Sequence, residues 1–252
     1  MANSQLPITN IKLMSNKLIS NRKLGIKHMN GLLIVNKPKG MTSFSVVNAI
    51  HRLIGVKAGH AGTLDPMAEG VLVVLLGKFT KKAKEFESSI KEYEAEITFG
   101  IETDSLDSTG KITSKKEVNI TKQQLRDVMD LFIGEIEQIP PMVSAIHHKG
   151  KRLYDLARQG IEVERSPRKI TINKLELRSF DRDRASFVVS CSKGTYIRTL
   201  CADIGSRLGC GAHMSKLTRI KSGDFSIDNA LTLEQVFKLH NHGELEKALC
   251  LK

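Results

Sequence analysis

Residues 59–76 of the chain read GHAGTLDPMAEGVLVVLL. Residues 59–66 are rich in glycine and polar side chains, whereas residues 71–76 form an uninterrupted apolar run. A short apolar run bounded by turn residues is typical of a buried strand, so this stretch predicts a polar loop that leads directly into a sheet. A rigid scaffold holds the polar groups of such a loop at a surface, which makes Asp65 a candidate for catalysis. Asp-Pro is also a common start of a turn, and that is the simpler interpretation.

Upstream of this stretch the sequence predicts a strand and then a helix. Residues 31–36 (GLLIVN) are apolar and are followed by Pro38 and Gly40, which indicates a strand that ends in a turn. Ser43 can cap a helix whose apolar residues recur at helical spacing, and Gly55 ends that helix.

Downstream, the pattern again mixes strands and helices. Residues 92–99 alternate polar and apolar side chains, as a half-buried strand does. Capping boxes open helices at residues 121–124 and 232–235, and residues 197–208 form an amphipathic helix. Because no regular βαβ repeat occurs, we predict an α/β fold in the broad, mixed-sheet sense (α+β).

Composition excludes several classes of protein. The 252 residues are 40% hydrophobic and 26% charged, which is typical of a globular protein. The longest apolar run is far shorter than the about 20 residues that cross a membrane, so we expect no membrane association. The four cysteines form no CxxC pair, and neither a metal-ligand cluster nor a phosphate-binding glycine loop is present. We therefore expect no metal and no cofactor.

The net charge of +12 indicates an anionic partner, most often a nucleic acid. Residues 1–30 hold five cations and no acid, and they could be a disordered basic arm, an organelle transit peptide or an upstream extension. Residues 146–174 carry a net charge of +5. Residues 204–223 contain four cations, Arg219 among them, and no acid. We interpret the last two stretches as contacts for phosphates.

The residue pattern also indicates possible partners for Asp65. Arg198 lies beside the apolar stripe of its helix, where a half-buried arginine needs a carboxylate, although an ordinary ion pair explains it equally well. Tyr93 and Tyr196 fit either core packing or stacking on a base. His60, between two glycines, could place an exposed ring against a nucleobase.

A series of stretches, in the same order along the chain, resembles the motifs of the TruB family of tRNA pseudouridine synthases. The similarity extends from about residue 31 to residue 233, and the ordered set is far more specific than any single motif. The stretches are residues 31–43, 59–66, 91–93, 103–110, 140–145, 151–160, 194–200 and 216–219.

The resemblance implies the pseudouridine synthase catalytic fold, with a mixed, mainly antiparallel sheet, flanking helices and a central RNA-binding cleft. It also implies the catalytic group. Asp65 matches the catalytic aspartate, Arg198 the arginine that pairs with it, and Asp107 the acid that holds this arginine.

For the substrate, the resemblance implies a second set of residues. Tyr93 matches the tyrosine that stacks on the target base, and His60 matches the residue that fills the space left by the flipped uridine. Tyr196 and Leu217 line the nucleotide pocket. The active-site loop is braced by Lys37 and Pro38.

The implied activity is the isomerisation of uridine 55 in the T loop of tRNA. The target base must leave its stack, and stacking on aromatic side chains offsets part of that cost. Asp65 could attack C1′, add to C6 or abstract a ribose proton, and the sequence does not choose among these routes. We expect no metal, nucleotide or other cofactor, since the reaction is an isomerisation.

The resemblance also predicts the domain organisation. We expect a basic extension over residues 1–30, a catalytic domain over residues 31–233 with a tRNA-gripping insertion at about 121–165, and a short tail over residues 234–252. This tail is too short for a complete PUA-like domain, so we expect the T stem-loop to provide most of the recognition. Val143 stands where the family commonly has an aromatic residue.

We expect a monomer without an obligatory protein partner, located in the cytoplasm, or in an organelle matrix if residues 1–30 are a transit peptide. Two functions are alternatives to a tRNA pseudouridine synthase. A tRNA-binding or tRNA-folding factor with incidental catalysis would fit the basic stretches equally well. The catalytic subunit of a guide-RNA particle ranks last, because such subunits rely on the C-terminal RNA-binding domain.

Overall fold

A computed structural model describes residues 29–144, 146–148 and 150–250 of the chain. The basic extension expected over residues 1–30 lies outside the described residues, apart from Met29 and Asn30.

Helices and strands are interspersed along the described residues, so the mixed α/β class is confirmed. Short 3₁₀ turns occur at Gly77–Lys82, Ile227–Asn229 and Leu245–Ala248. The helices are α1 (Ser43–Ile54), α2 (Ala83–Glu87), α3 (Lys122–Asp130), α4 (Leu153–Arg158), α5 (Ile197–Arg207) and α6 (Leu233–Asn241). The strands are β1 (Gly31–Lys37), β2 (Ala58–Ala61), β3 (Glu69–Leu76), β4 (Lys91–Phe99), β5 (Ile101–Thr103), β6 (Ile112–Lys115), β7 (Gly134–Gln138), β8 (His147–His148), β9 (Lys151–Arg152), β10 (Arg168–Asp181), β11 (Arg184–Cys191), β12 (Ala212–Ser222) and β13 (Phe225–Ser226).

The described residues divide into two compact units. The first unit contains residues 29–89 and 219–250, and the second contains residues 90–218. None of the helices in the described part of the chain is long and apolar enough to cross a membrane.

The first unit is built on the apolar strand that the sequence predicts. β1 and β3 pair antiparallel, with Leu33 opposite Val74, and β2 pairs with the other edge of β3. Helices α1 and α6 cover one face of this pair, and their apolar residues join the strand residues in one buried cluster. Burial of each such side chain contributes about 1.5–3 kcal/mol, so this cluster helps to hold β3, the strand that follows Asp65.

The ends of α1 differ in one respect from the prediction. Gly55 ends the helix in the left-handed conformation, with φ of 69°, as expected. The N-cap, however, is Thr42, whose hydroxyl accepts a hydrogen bond from the Ser45 amide at 2.9 Å. Ser43 is the first helical residue, and its hydroxyl is engaged elsewhere.

The second unit contains an antiparallel ladder in the order β4–β11–β10–β7. β4 has the predicted alternation, because Tyr93, Ala95 and Ile97 are buried. The predicted capping box of α3 is present, and α5 occupies the predicted amphipathic segment. The mainly antiparallel pairing is therefore confirmed.

Candidate active site

Asp65 lies in the turn between β2 and β3, where its side chain is half-buried. The turn closes on itself, because the Ala68 amide donates to the Asp65 carbonyl oxygen at 3.1 Å. A second contact comes from the turn after β1, where the Gly40 amide donates to the Pro66 carbonyl oxygen at 2.7 Å. These two main-chain hydrogen bonds thus fix the backbone immediately after the carboxylate.

Ser43 fixes the residue immediately before Asp65. Its hydroxyl donates to the Leu64 carbonyl oxygen at 3.0 Å and accepts from the Leu64 amide at 2.8 Å. Both groups are buried, so one side chain satisfies the donor and the acceptor of the same loop residue. The N-terminal turn of α1 therefore holds the Asp65 loop.

Lys37, at the end of β1, is fully buried. Its ammonium group donates to the carbonyl oxygens of Met41 at 2.6 Å, Pro38 at 3.0 Å and Pro66 at 3.5 Å. Burial lowers the pKa of Lys37 to about 8; the carboxylates of Asp65 and Glu69 oppose this shift, and the charge of Arg219 adds to it. The lysine thus joins the turn at Pro38 to the loop of Asp65.

Arg219 is also buried, with 1% of its surface exposed. Its Nε donates to the Val71 carbonyl oxygen at 2.7 Å, and its Nη2 donates to the Gly62 carbonyl oxygen at 2.9 Å. The sequence places Arg219 in a stretch that contacts phosphates, and the structure shows that prediction to be wrong for this residue, because its guanidinium faces main-chain carbonyls.

His60 lies in β2, opposite Val74, although the sequence predicts a loop there. Its ring is half-buried rather than exposed, and Nδ1 is buried without a hydrogen-bond partner among the described residues. Burial, and then the charge of Arg219, lowers the pKa of His60, while Glu87 opposes the shift. The ring is therefore neutral at pH 7.

In the second unit, Arg198 is 3% exposed, and its guanidinium contacts two main-chain carbonyls and the side chain of Asp107. Its Nη1 donates to the Ser105 carbonyl oxygen at 3.0 Å, and its Nη2 donates to the Val143 carbonyl oxygen at 2.8 Å. Its Nε lies 3.8 Å from Oδ2 of Asp107. The structure thus brings together the arginine and the acid that the resemblance pairs.

Asp107 is held by its own loop. Its Oδ1 accepts from the Thr109 hydroxyl at 2.6 Å, the Thr109 amide at 2.9 Å and the Ser105 hydroxyl at 2.9 Å. The loop turns sharply at Leu106, which has φ of 62°. One carboxylate oxygen is therefore saturated by the loop, and the other faces Arg198.

Tyr196 is the residue that precedes α5, and Gln138 holds its backbone. The Gln138 side chain accepts from the Tyr196 amide at 2.8 Å and donates to the Tyr196 carbonyl oxygen at 3.1 Å. Gln138 is 2% exposed, and both bonds are partly buried. It fixes the start of the helix that carries Arg198.

The remaining residues predicted from the sequence are distributed over both units. Pro38 lies in the turn after β1, in the same unit as Asp65 and His60. Tyr93 and Leu217 are buried in β4 and β12, in the same unit as Arg198. Within the described residues, no three His, Cys, Asp or Glu side chains are grouped so that they could hold a metal ion.

Sequence reasoning did not find three residues that support these loops, namely Ser43, Gln138 and Arg219. Arg219 offers a local signal, since it is in phase with the buried Leu217 on β12. A charged side chain on the buried face of a strand requires polar partners. For Ser43 and Gln138 the partners are distant in sequence, and no spacing indicates them.

Two family models match the chain. The model described as "TruB family pseudouridylate synthase (N terminal domain)" matches residues 51–197, and that described as "tRNA pseudouridylate synthase B C-terminal domain" matches residues 198–250.

Among curated relatives, the tRNA pseudouridine synthase B of Protochlamydia amoebophila is 49% identical over 216 residues, which are 85% of this chain and 82% of the relative. The protein of the same name from Dechloromonas aromatica is 46% identical over 88% of this chain and 75% of its own length.

Two solved structures are also similar. A chain in a Cbf5–Nop10–Gar1 complex superposes with a TM-score of 0.71 at 29% identity, over 92% of this chain and 63% of that chain. A chain in an H/ACA RNP bound to a substrate RNA containing 2'-deoxyuridine superposes with a TM-score of 0.67 at 28% identity. The match covers 92% of this chain and 62% of that chain. This chain thus spans slightly less than two thirds of the length of either solved chain.

Proposed function

Because the chain belongs to the TruB family of pseudouridylate synthases, we propose that it is a tRNA pseudouridine synthase that isomerises uridine 55 of tRNA. The bond between N1 and C1′ of the uridine breaks, the base rotates, and C5 bonds to C1′. C5 loses a proton and N1 gains one, so the product has the composition of the substrate.

The observation that carries this proposal is a half-buried carboxylate, Asp65, in a loop whose backbone is fastened on both sides. The fastenings come from Ser43, Lys37 and the Gly40 amide. A protein that only binds RNA has no need of such a restrained acid, whereas a catalytic group must be held close to its productive geometry. Asp65 is the catalytic residue of the proposal.

Arg198 and Asp107 are the partners of Asp65 in the proposed mechanism. An adjacent guanidinium stabilises the ionised form of a carboxylate, and the family resemblance assigns that role to Arg198. Asp107 orients Arg198 through the contact between Nε and Oδ2. Tyr93 and His60 stack on or replace the flipped base, while Tyr196 and Leu217 line its pocket.

We also propose that residues 121–165 grip the T stem-loop. The ring of Tyr154 on α4 has the guanidinium carbons of Arg152 and Arg158 at 5.7 and 5.5 Å from its centroid. Both arginines are exposed, as is Lys151. These cations can neutralise phosphates of the RNA backbone.

The same proposal includes the bounds of the catalytic domain, the oligomeric state and the cellular location. The catalytic domain spans residues 31–233, and the enzyme acts as a monomer, without a cofactor or a protein partner. Its substrate is tRNA, which supports a place in the cytoplasm.

The test is to incubate the protein with an unmodified tRNA transcript, and separately with a T-arm minihelix, and to map pseudouridine at single-nucleotide resolution. Asp65→Asn should abolish the product while Asp228→Asn, at an exposed acid of the same unit, should leave it unchanged. Product formed by Asp65→Asn would refute the mechanism. Absence of product with the unaltered protein, despite tight binding, would favour the tRNA-folding factor.

A further inference from the structure

Arg219 joins the two ends of the segment that contains Asp65. The Gly62 carbonyl precedes Asp65 and the Val71 carbonyl follows it, and both accept from the same guanidinium group. The guanidinium plane is rigid, so its two donors fix the separation of these two carbonyls. Arg219 thus closes the base of the loop, whereas Ser43 and Lys37 hold its middle.

The backbone of β12 also approaches this loop closely. Gly70 has φ of 104°, and a Cβ atom there would overlap the carbonyl oxygen and the amide nitrogen of Arg219. Only glycine permits that contact without strain. Main chain and side chain of Arg219 therefore both contact the start of β3, directly after the loop of Asp65.

The guanidinium is the permanent cation of this loop. Its charge adds to the effect of burial in lowering the pKa values of Lys37 and His60.

We propose that Arg219 is a positioning residue for the Asp65 carboxylate, acting by fixing both ends of its loop; this inference rests on the proposed function. Arg219 does not reach the RNA, because its side chain is buried and its Nε and Nη2 donate to the protein backbone. Its loss should therefore slow the chemical step and leave the affinity for tRNA unchanged. A phosphate-binding arginine would produce the opposite pattern.

The experiment compares Arg219→Lys and Arg219→Gln with the unaltered protein. The readouts are the single-turnover rate of pseudouridine formation with saturating enzyme, the Kd for the same tRNA, and the midpoint of thermal unfolding. Lysine keeps the charge but has one nitrogen, which cannot take the positions of both Nε and Nη2. We expect the rate to fall about 10- to 100-fold in Arg219→Lys, and further in Arg219→Gln, because small displacements of catalytic groups have effects of that size.

The Kd of both variants should stay within about twofold of the unaltered value. Loss of a phosphate contact would weaken binding, and neither variant removes such a contact. The control is Lys238→Gln, which removes an exposed cation of α6 in the same unit and should change none of the readouts. All assays are run below the unfolding midpoint of the least stable variant.

Three results would overturn the inference. The first is an unchanged rate in folded variants, and the second is a loss of rate matched by an equal loss of affinity. The third is failure of both variants to fold, which would make Arg219 purely structural. If the unaltered protein forms no pseudouridine, the proposed function fails instead, and the two failures are thereby distinguished.

Discussion

Arg198 and Asp107 form a contact of 3.8 Å between Nε and Oδ2, and their side chains are 3% and 6% exposed. The remaining contacts of the acid, to Thr109 and Ser105, use its other carboxylate oxygen. A buried ion pair is costly to break, because removal of one partner leaves an uncompensated charge. The Asp107 loop therefore determines where the guanidinium of Arg198 lies.

Asp107→Asn should destabilise the protein and slow pseudouridine formation. The amide keeps the shape of the side chain but removes the negative charge of a buried ion pair, so the free energy of unfolding should fall by several kcal/mol. Urea denaturation and single-turnover kinetics measure the two effects. The control is Glu135→Gln, which breaks the exposed ion pair with Lys169 and should change the free energy of unfolding far less. Equal losses in the two variants would contradict the role of Asp107.

Gln138→Leu tests the link between β7 and the start of α5. Leucine has a similar size but removes the acceptor that Gln138 offers to the partly buried Tyr196 amide, which should cost about 0.5–1.5 kcal/mol. We expect a lower single-turnover rate as well, because Arg198 follows two residues later. Gln123→Ala, at an exposed glutamine that contacts Asp127, is the control and should affect neither quantity by a comparable amount. An unchanged rate in Gln138→Leu would show that this link does not position the arginine.

Lys37 should make stability depend on alkaline pH. Its pKa is lowered from 10.5 to about 8 in the folded protein, so the unfolded chain binds more protons between these values. Below pH 8 the lysine is charged in both states, and the full cost of burying that charge destabilises the folded protein. Between pH 8 and pH 10.5 this cost is progressively relieved, so the free energy of unfolding rises with pH.

Lys37→Met should remove this contribution. The difference between the unaltered protein and the variant should grow by about 3 kcal/mol in favour of the unaltered protein between about pH 7.5 and 10.5, since one pKa unit corresponds to about 1.4 kcal/mol. Urea denaturation across that range measures it. Lys39→Met, at an exposed lysine, should give a curve parallel to that of the unaltered protein. A parallel curve for Lys37→Met would refute the prediction.

The elements that the sequence predicts correctly are those encoded by local patterns. The apolar run of β3 and the capping boxes at Thr121 and Thr232 involve residues within a few positions of one another. Such patterns determine backbone conformation without reference to the rest of the chain. β2 escapes prediction because its four residues, AGHA, have no strand pattern, and it forms only through pairing with β3.

The candidate site divides in the same way. The resemblance supplies Asp65, Arg198 and Asp107 because their motifs are contiguous. Arg219 contacts carbonyls 148 and 157 residues away, and composition alone places it among surface cations. Ser43 is a plausible helix cap by its type, yet Thr42 takes that role because the Ser43 hydroxyl bonds a residue 21 positions away. The partners in contacts of this range follow from tertiary packing and have no local signal, although the phase of Arg219 with Leu217 indicates that the arginine is buried.

Ser43 and Thr42 provide a matched pair of variants for separating loop positioning from helix stability. Ser43→Ala leaves the buried amide and carbonyl groups of Leu64 unsatisfied, next to Asp65, at a cost of about 1–3 kcal/mol. Thr42→Ala removes the N-cap of the same helix, at a cost of about 0.5–2 kcal/mol.

Both variants lose stability through neighbouring residues, but only Ser43→Ala releases the loop of Asp65. We therefore expect single-turnover pseudouridine formation to slow about tenfold or more in Ser43→Ala, since loss of positioning raises the barrier of the chemical step. Thr42→Ala should keep the unaltered rate at a temperature where both variants are folded, as circular dichroism would verify. If the two rates fall in proportion to the two stabilities, helix stability alone accounts for the effect, and the fastening of Leu64 has no part in placing the carboxylate.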